Sequence, residues 1–401
     1  MQFKLLQFYK VLSNFSTSLI SAFVPLLIYQ QTGKIYLSVL CLVLQNAFEA
    51  IFTILLKNFT YKKPQIALML RLIPIVVMQV LLLFLAKSPW IAVIGCAIFT
   101  GLNYALKYTP SDIIFAYATP PDAKTSTLAL TRVFEQLGYV LASVVGGTFL
   151  DFIDYSIVIA ISLGLYFISS LPLMIFYIKN RKVKNFNNEV ISDAANYFEN
   201  KVKDGKGKKV CKKITLRYCF VSALTFGADI IYLTFIFIVY LSSGSFLLAG
   251  FLNALFEGLD GFFTMILGKL DEKYDLTYWA MSAIILMGIC AVIMSFTAGS
   301  VLSFVCFELI AVLWSFSNIY IYQRMLVKSK ILGITNELSY NRRVARLYGG
   351  TIACAFGFIG APFIALASGI MLIVGGAMVP STEEKTRQLM VDYLENNEIA
   401  D

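Results

Sequence analysis

The sequence aligns with itself at an offset of 211 residues without a gap. The matched pairs are Tyr29 with Tyr240, Gly33 with Gly244, Glu49 with Asp260, Phe52 with Phe263, Thr53 with Thr264, Leu56 with Leu267 and Lys62 with Lys273. At an offset of 210, Arg132 falls on Arg342. Apolar sequences match by chance more often than others, but here turns, charges and glycines also coincide. Two halves built on one plan are typical of repeat-built transporters, whose substrate site lies between the halves.

The composition indicates a membrane protein. Hydrophobic residues make up 58% of the chain, charged residues 14%, and the mean hydropathy is +0.75, whereas soluble domains carry about 25% charged residues. The apolar runs have the length that spans a bilayer, about 20 residues. We count twelve runs, at about 8–30, 36–57, 65–86, 89–115, 126–150, 155–178, 214–241, 245–267, 277–297, 300–326, 336–357 and 360–379. The sequence therefore predicts an all-α membrane protein with twelve transmembrane helices.

The basic residues predict the topology. One set of turns between the runs contains only Lys34 and Lys87, whereas the opposite set is rich in lysine. The positive-inside rule therefore predicts that both termini face the cytoplasm, in a multi-pass protein of the cell membrane. This asymmetry also explains the net charge of +9, which gives no reason to expect binding to nucleic acid.

The repeat and the runs together predict two six-helix pseudo-repeat halves. The polar, basic stretch between them is expected to be a cytoplasmic linker that can meet the head groups of membrane lipids. The predicted units are an N-terminal bundle at 1–178, the linker at 179–213, a C-terminal bundle at 214–380 and a cytoplasmic tail at 381–401.

Several kinds of chemistry have no support in the sequence. There is no His, the seven Cys fall within runs or in the linker, and no spacing is typical of a metal site. The phosphate-binding pattern G-x-x-x-x-G-K-[ST] is also missing. We therefore expect no metal, no cofactor, no ATP hydrolysis and no enzymatic activity. We also expect a monomer.

Charges within the predicted spans of the first half require an explanation, because a charge at the bilayer centre costs about 2.5–3.5 kcal/mol even on a lenient scale. The three acids and three bases are Glu49, Arg71, Lys107, Asp112, Arg132 and Glu135. One interpretation is a neutral ion-pair cluster that stabilises the bundle. The other is a gate, or a set of residues that selects the substrate by its polarity, on the cytoplasmic side.

The second half has acids in spans that contain no base at similar depth. These acids are Asp229, Glu257, Asp260 and Glu308. Desolvation disfavours the charged form of a carboxyl group, so these residues are candidates for carrying a coupling proton or cation. The alternative is that they face a water-filled cavity and attract a cationic substrate.

Local motifs match a known family. They are Tyr108-Thr-Pro-Ser-Asp112 with Pro120-Pro-Asp-Ala-Lys124, the glycines Gly138, Gly146 and Gly147 after Arg132, and Gly268-Lys-Leu-Asp-Glu272-Lys273. Together with the twelve spans, the six-plus-six repeat and the central loop, they resemble the major facilitator superfamily. The glycines are similar to those in the fifth span of its exporters. The loop Lys57–Lys62 departs from the family pattern, because it keeps a basic residue but lacks the glycine and the acid.

The resemblance implies a cavity lined by spans one, four, seven and ten. The candidate lining residues are Asn14, Ser18, Asn103, Trp314 and Asn318. The resemblance also implies a loop that holds the cytoplasmic side shut, with Gly268, Glu272 and Lys273 as its residues here. Asp229 ranks first among the coupling candidates, because span seven lines the cavity in this family.

The expected function is secondary active transport by alternating access, coupled to protons, with export of an amphipathic or cationic small molecule. A lipid or lysolipid flippase and a nutrient importer are alternatives within transport. A non-transporting membrane sensor or scaffold with the same fold is the alternative from another class. The expected partners are a small-molecule or lipid-like substrate, protons or another coupling cation, and membrane lipids.

Overall fold

The computed structural model describes residues 2–118, 125–180, 205–271, 273–274, 277–318 and 335–398, and over these residues the chain is all-α. The helices before the linker are α1 (Gln2–Ser21), α2 (Val24–Thr32), α3 (Ile35–Leu55), α4 (Lys57–Lys62), α5 (Pro64–Leu70), α6 (Leu72–Leu82), α7 (Pro89–Ala118), α8 (Thr125–Phe152) and α9 (Tyr155–Asn180). The later helices are α10 (Gly205–Thr225), α11 (Gly227–Ser243), α12 (Phe246–Asp271), α13 (Thr277–Phe296), α14 (Val301–Asn318), α15 (Thr335–Ala355) and α16 (Ala361–Glu398).

Prolines break two of the first-half spans into shorter helices. α2 begins with Pro25 in its first turn, directly after α1 has ended. α5 and α6 are separated by Arg71 alone, and Pro74 lies in the first turn of α6. A proline lacks the N–H that would bond the carbonyl four residues earlier, and its ring crowds that carbonyl. The second break therefore leaves Arg71 at a helix junction.

The internal repeat is confirmed by two equivalent turns. Gly33 ends α2 and Gly244 ends α11, with φ values of 65° and 71°. Their N–H groups donate to the carbonyls of Tyr29, at 2.7 Å, and Tyr240, at 2.8 Å. This left-handed conformation favours glycine, because a side chain raises its energy. The two glycines lie 211 residues apart, so the offset in the sequence is also the offset of the fold.

Nine helical segments of the described residues are long and apolar enough to cross a membrane. Two shorter apolar segments lie at Thr234–Ser243 in α11 and at Val301–Ser317 in α14. α15 occupies the position of the eleventh predicted span, but its three arginines keep it outside this apolar class. The order of helices accommodates twelve spans, and the chain is a multi-pass membrane protein.

The halves meet along two pairs of helices. α8 of the first half packs along α12 of the second, and α3 packs along α15. Glycines permit the first contact: a Cβ atom on Gly147 would lie 2.5 Å from the carbonyl oxygen of Phe246, and one on Gly250 would collide with Ser143. Small residues allow transmembrane helices to approach closely. The halves therefore touch through backbone as well as side chains.

Two of the predicted boundaries between units, the end of the linker at 213 and the end of the C-terminal bundle at 380, fall inside the helices α10 and α16. The part of α16 beyond residue 380 is anchored by Glu383, which accepts a 2.9 Å hydrogen bond from the hydroxyl of Tyr218 on α10. The described part of the tail therefore continues the last helix. A turn near Gly357 separates α15 from α16 through three residues of 3₁₀ helix.

Candidate functional site

An ion pair joins the two halves at Glu49. This α3 side chain is 1% exposed. Its Oε1 accepts a hydrogen bond from Nε of Arg343 on α15 at 2.8 Å, and a second one from Nη2 of the same residue. The Arg343 guanidinium also lies over the ring of Tyr108 on α7, 3.9 Å from the ring centroid. Removing one partner of such a buried pair is strongly destabilising, so this contact holds α3, α7 and α15 together.

The six charged residues predicted in the first half do not pair only with one another. Glu49 pairs with Arg343, and Glu135 of α8 pairs with Lys10 of α1. Both bases lie outside the predicted cluster. The physical reason is helix adjacency, because α3 packs on α15 and α8 packs on α1. The side chains of Asp112 and Arg132 lie outside the described part of the structure.

Arg71 and Lys107 have neutral partners. Nε of Arg71 donates to Oδ1 of Asn103 and its Nη1 donates to the hydroxyl of Tyr9, both at 3.0 Å. Nη2 of Arg71 is buried without a hydrogen-bond partner in the described structure. Nζ of Lys107 donates to the hydroxyl of Tyr139 at 3.0 Å. Neither base forms an ion pair with a carboxylate whose side chain the structure describes.

Asp260 is the repeat partner of Glu49, and it also reaches the opposite half. It is 0% exposed on α12, and its Oδ2 accepts a 2.5 Å hydrogen bond from Gln136 of α8. Its Oδ1 accepts hydrogen bonds from Ser315 of α14 at 3.1 Å and from Thr264 at 3.2 Å. The sequence places no base beside this acid, and the three side-chain donors described here are neutral.

The other coupling candidates have different surroundings. Both carboxylate oxygens of Glu308 are buried and have no hydrogen-bond partner among the described residues. Glu308 lies seven residues before Ser315 on α14, so both occupy one face of that helix, the face that reaches Asp260. Glu257 is half-buried on α12, three residues before Asp260. The side chain of Asp229 is not among those described.

The structure brings only some of the predicted lining residues to the charged cluster. Asn103 contacts one of its bases, as described above. Asn14 and Ser18 are buried on α1. Trp314 is buried among apolar side chains of the main core. Asn318 belongs to α14, but its side chain lies outside the described part.

A helix cap ties the halves at one end of the bundle, here called the turn end because it contains the Gly33 and Gly244 turns. Asp151 at the end of α8 accepts hydrogen bonds from the N–H groups of Phe246 and Leu247, both at 2.9 Å. These N–H groups belong to the first turn of α12 and have no partner within their own helix. A side chain of the first half therefore caps a helix of the second.

Aromatic contacts connect the halves at both ends. At the turn end, Tyr29 of α2 packs edge-on against Phe237 of α11, with ring centroids 5.7 Å apart. At the opposite end, here called the basic end because it contains the lysine-rich α4, Tyr61 packs against Tyr340 of α15 at 6.3 Å. Nζ of Lys57 also lies 4.3 Å from the centroid of Tyr340. The halves are thus in contact at each end of the bundle.

The predicted loop gate lies at the basic end. Gly268 is buried near the end of α12, Lys273 is exposed, and Glu272 lies outside the described residues. The described contacts between the halves at this end include Tyr61 of the first-half loop, the loop that departs from the family pattern. The role of Glu272 stays a prediction.

Sequence reasoning missed four of the residues that connect helices at the site. Arg343 follows Arg342, which the repeat aligns with Arg132, so a signal for it was present. Lys10, Gln136 and Asp151 gave no such signal. The first lies near the start of its span, the second is uncharged, and the third lies in a short polar turn.

These features define a helical membrane protein built from two related halves with a polar site between them. The sequence profile of the Major Facilitator Superfamily matches residues 8–336. The chain belongs to this superfamily of transporters. No curated protein sequence matches the chain at a significant level.

Solved structures show the same fold at low identity. A proton:xylose symporter bound to 6-bromo-6-deoxy-D-glucose has a TM-score of 0.70 and 11% identity, with 93% of each chain covered. A bacterial homologue of the iron transporter ferroportin, in an outward-facing state, has a TM-score of 0.66 and 14% identity, with 96% of this chain and all of the other covered. A human organic anion transporter has a TM-score of 0.61 and 13% identity, with 94% of this chain and 98% of the other covered.

Proposed function

We propose that this chain is a proton-coupled secondary active transporter that works by alternating access. One observation carries the proposal: the repeat-related acids Glu49 and Asp260 each accept a hydrogen bond from the opposite half, from Arg343 and Gln136. Contacts of this kind close the path between the halves in one state and are released in another. Equivalent contacts in two repeats support a mechanism in which the halves move against each other around a central site.

Glu308 is the proposed coupling residue. Its two oxygens are buried without hydrogen-bond partners among the described residues. Burying an ionised carboxylate without partners is costly, so binding and release of a proton at this group can be linked to separation of the halves. Asp260 acts in this proposal as a contact between the halves. Glu257 and Asp229 are further candidates for the same proton.

The proposed direction is export of an amphipathic small molecule across the cell membrane, with both termini in the cytoplasm. Support comes from the close packing of α8 on α1, where Cβ atoms on Gly138 and Gly146 would lie 2.6 Å from the carbonyl oxygens of Val11 and Leu19. This is the glycine-rich span that resembles the fifth span of exporters. Nutrient import is the alternative, and it is favoured by the name of the proton:xylose symporter, whose solved structure has a similar fold.

The test is reconstitution of the purified full-length chain into liposomes that contain a pH-sensitive dye. Anionic, cationic, zwitterionic and neutral compounds are then added in turn. We expect one class to drive proton movement in wild-type liposomes. Glu308→Gln should abolish that movement and keep substrate exchange, because an amide cannot carry the proton. Glu384→Gln, in the exposed part of α16, is the matched control and should behave as wild type.

Two results would contradict the proposal. One is the absence of proton movement with every compound. The other is unaltered coupling in Glu308→Gln, Glu257→Gln and Asp229→Asn alike. The sign of the proton movement, measured with the gradient in each direction, decides between export and import.

A further inference from the structure

Among the residues that the structure describes, the ionisable side chains around Lys107 carry an excess of positive charge. Lys107 interacts electrostatically with the bases Arg71, Lys10 and Arg343 and with the acid Glu135. Each described acid of this group already pairs with one base: Glu135 with Lys10, and the adjacent Glu49 with Arg343. Arg71 and Lys107 are left over.

The two remaining bases have N–H groups that are available as hydrogen-bond donors. Arg71 is 1% exposed, and its Nη2 is buried with no hydrogen-bond partner in the described structure. Nζ of Lys107 uses one of its three protons on the hydroxyl of Tyr139. A buried cation with neutral partners is costly, and a charge-assisted hydrogen bond to an anion is the strongest relief available.

Tyrosine rings surround these bases. The Arg71 guanidinium lies 5.9 Å from the ring centroid of Tyr166, and Nζ of Lys107 lies 5.2 Å from that of Tyr108. The Tyr104 and Tyr108 rings are 5.5 Å apart, and both side chains are half-buried rather than fully enclosed. The Arg343 contact with Tyr108 shows that this face of α7 is directed at the second half, where a substrate has to pass.

We propose that Arg71 and Lys107 bind the anionic group of an organic carboxylate, whose apolar body lies among Tyr104, Tyr108 and Tyr139. This inference rests on the transport function proposed above and specifies the charge of the substrate. Two donor groups match the two oxygens of a carboxylate. A cationic substrate would be repelled by the two bases. The site therefore selects an amphipathic anion, whereas the sequence favours an amphipathic or cationic compound.

The experiment measures binding to the purified full-length chain in detergent by calorimetric titration. The probes are phenylacetate, phenethyl alcohol and phenethylamine, which share a phenyl ring and a short linker but differ in charge. We expect phenylacetate to bind about tenfold more tightly than the alcohol, which corresponds to about 1.4 kcal/mol, and the amine to bind most weakly. Lys107→Gln should remove the advantage of phenylacetate, and Lys107→Arg should retain most of it.

Lys87→Gln is the matched control, because Lys87 is exposed in a turn and should leave all three affinities unchanged. The inference is overturned if the alcohol or the amine binds as tightly as phenylacetate, if Lys107→Gln keeps the preference, or if no probe shows saturable binding. The titration needs no gradient. Phenylacetate binding without flux would therefore reject the transport function alone, and flux of a cation without phenylacetate binding would reject this inference alone.

Discussion

Gln136 of α8 donates a 2.5 Å hydrogen bond to Asp260 of α12, and this bond crosses from the first half of the chain to the second. Asp260 is the repeat partner of Glu49, which makes the corresponding crossing to Arg343. One crossing joins a carboxylate to a neutral amide, and the other is an ion pair. The two repeats therefore make a contact between the halves at the same position, but the chemistry of that contact differs.

The Gln136–Asp260 bond should contribute measurably to stability. Gln136→Met leaves Oδ2 of Asp260 without this donor, and a buried acceptor that loses its donor costs about 1–3 kcal/mol. Thermal unfolding of the purified protein in detergent measures the loss. The double variant Gln136→Met/Asp260→Asn should lose less than the sum of the two single variants. Strictly additive losses would contradict a direct interaction.

The Glu49–Arg343 pair should stabilise the fold more than the Gln136–Asp260 bond does. Arg343→Met leaves Glu49 buried without its base, and breaking a buried ion pair in this way costs about 3–5 kcal/mol. Glu49→Gln in the same chain should recover part of that loss. The measurement is the melting temperature of the single and double variants. An Arg343→Met protein as stable as wild type would show that Glu49 is hydrated and does not depend on this pair.

Close packing of α8 on α1 should make Gly146 intolerant of a side chain. A Cβ atom there would lie 2.6 Å from the carbonyl oxygen of Leu19 and 3.0 Å from Cε2 of Phe23, and overpacking of this kind costs about 1–3 kcal/mol. Gly164→Ala is the matched control, since nothing lies within 4 Å of its Cβ position. We expect Gly146→Ala to lower the melting temperature and Gly164→Ala to leave or raise it. Equal effects would contradict the contact.

The cap that Asp151 provides to α12 should favour closure of the turn end. Loss of a helix cap costs about 0.5–2 kcal/mol, and here the cap and the helix belong to different halves. Asp151→Ala should therefore shift the population towards an open turn end, measured as a longer distance between spin labels at Lys34 and Ser300. Asp154 accepts a 2.8 Å bond from the N–H of Ser156 in its own half.

Asp154→Ala is the control for this effect, because it removes a cap without touching the contact between the halves. Its label distances should match those of wild type. If Asp151→Ala leaves the distances unchanged, or if both variants lengthen them equally, the cap does not control the turn end.

The architecture could be predicted from the sequence because it depends on local and periodic signals. Run lengths indicate the spans, and the matched turns at Gly33 and Gly244 indicate the repeat. Glu49 and Asp260 could be found because a charge within an apolar run is conspicuous. Their partners could not, because pairing depends on which helices become neighbours in the fold.

The residues that complete the site carry weaker signals. Gln136 and Ser315 are neutral, and a neutral polar side chain in a span most often bonds within its own helix. The cap that Asp151 of the first half provides to the second half depends on the end of α8 lying against the start of α12. No local sequence pattern encodes this contact. The leftover charge of Arg71 and Lys107 became visible only when the structure assigned Glu49 and Glu135 to other bases.

The central claim is that the two ends of the bundle open in turn. Spin-label distances measured in one reconstituted sample test it most directly, between Lys34 and Ser300 at the turn end and between Lys62 and Lys273 at the basic end, all on exposed residues. When pH or substrate is changed, we expect one distance to lengthen as the other shortens. Distances that stay fixed at both ends, or that lengthen together, would contradict alternating access.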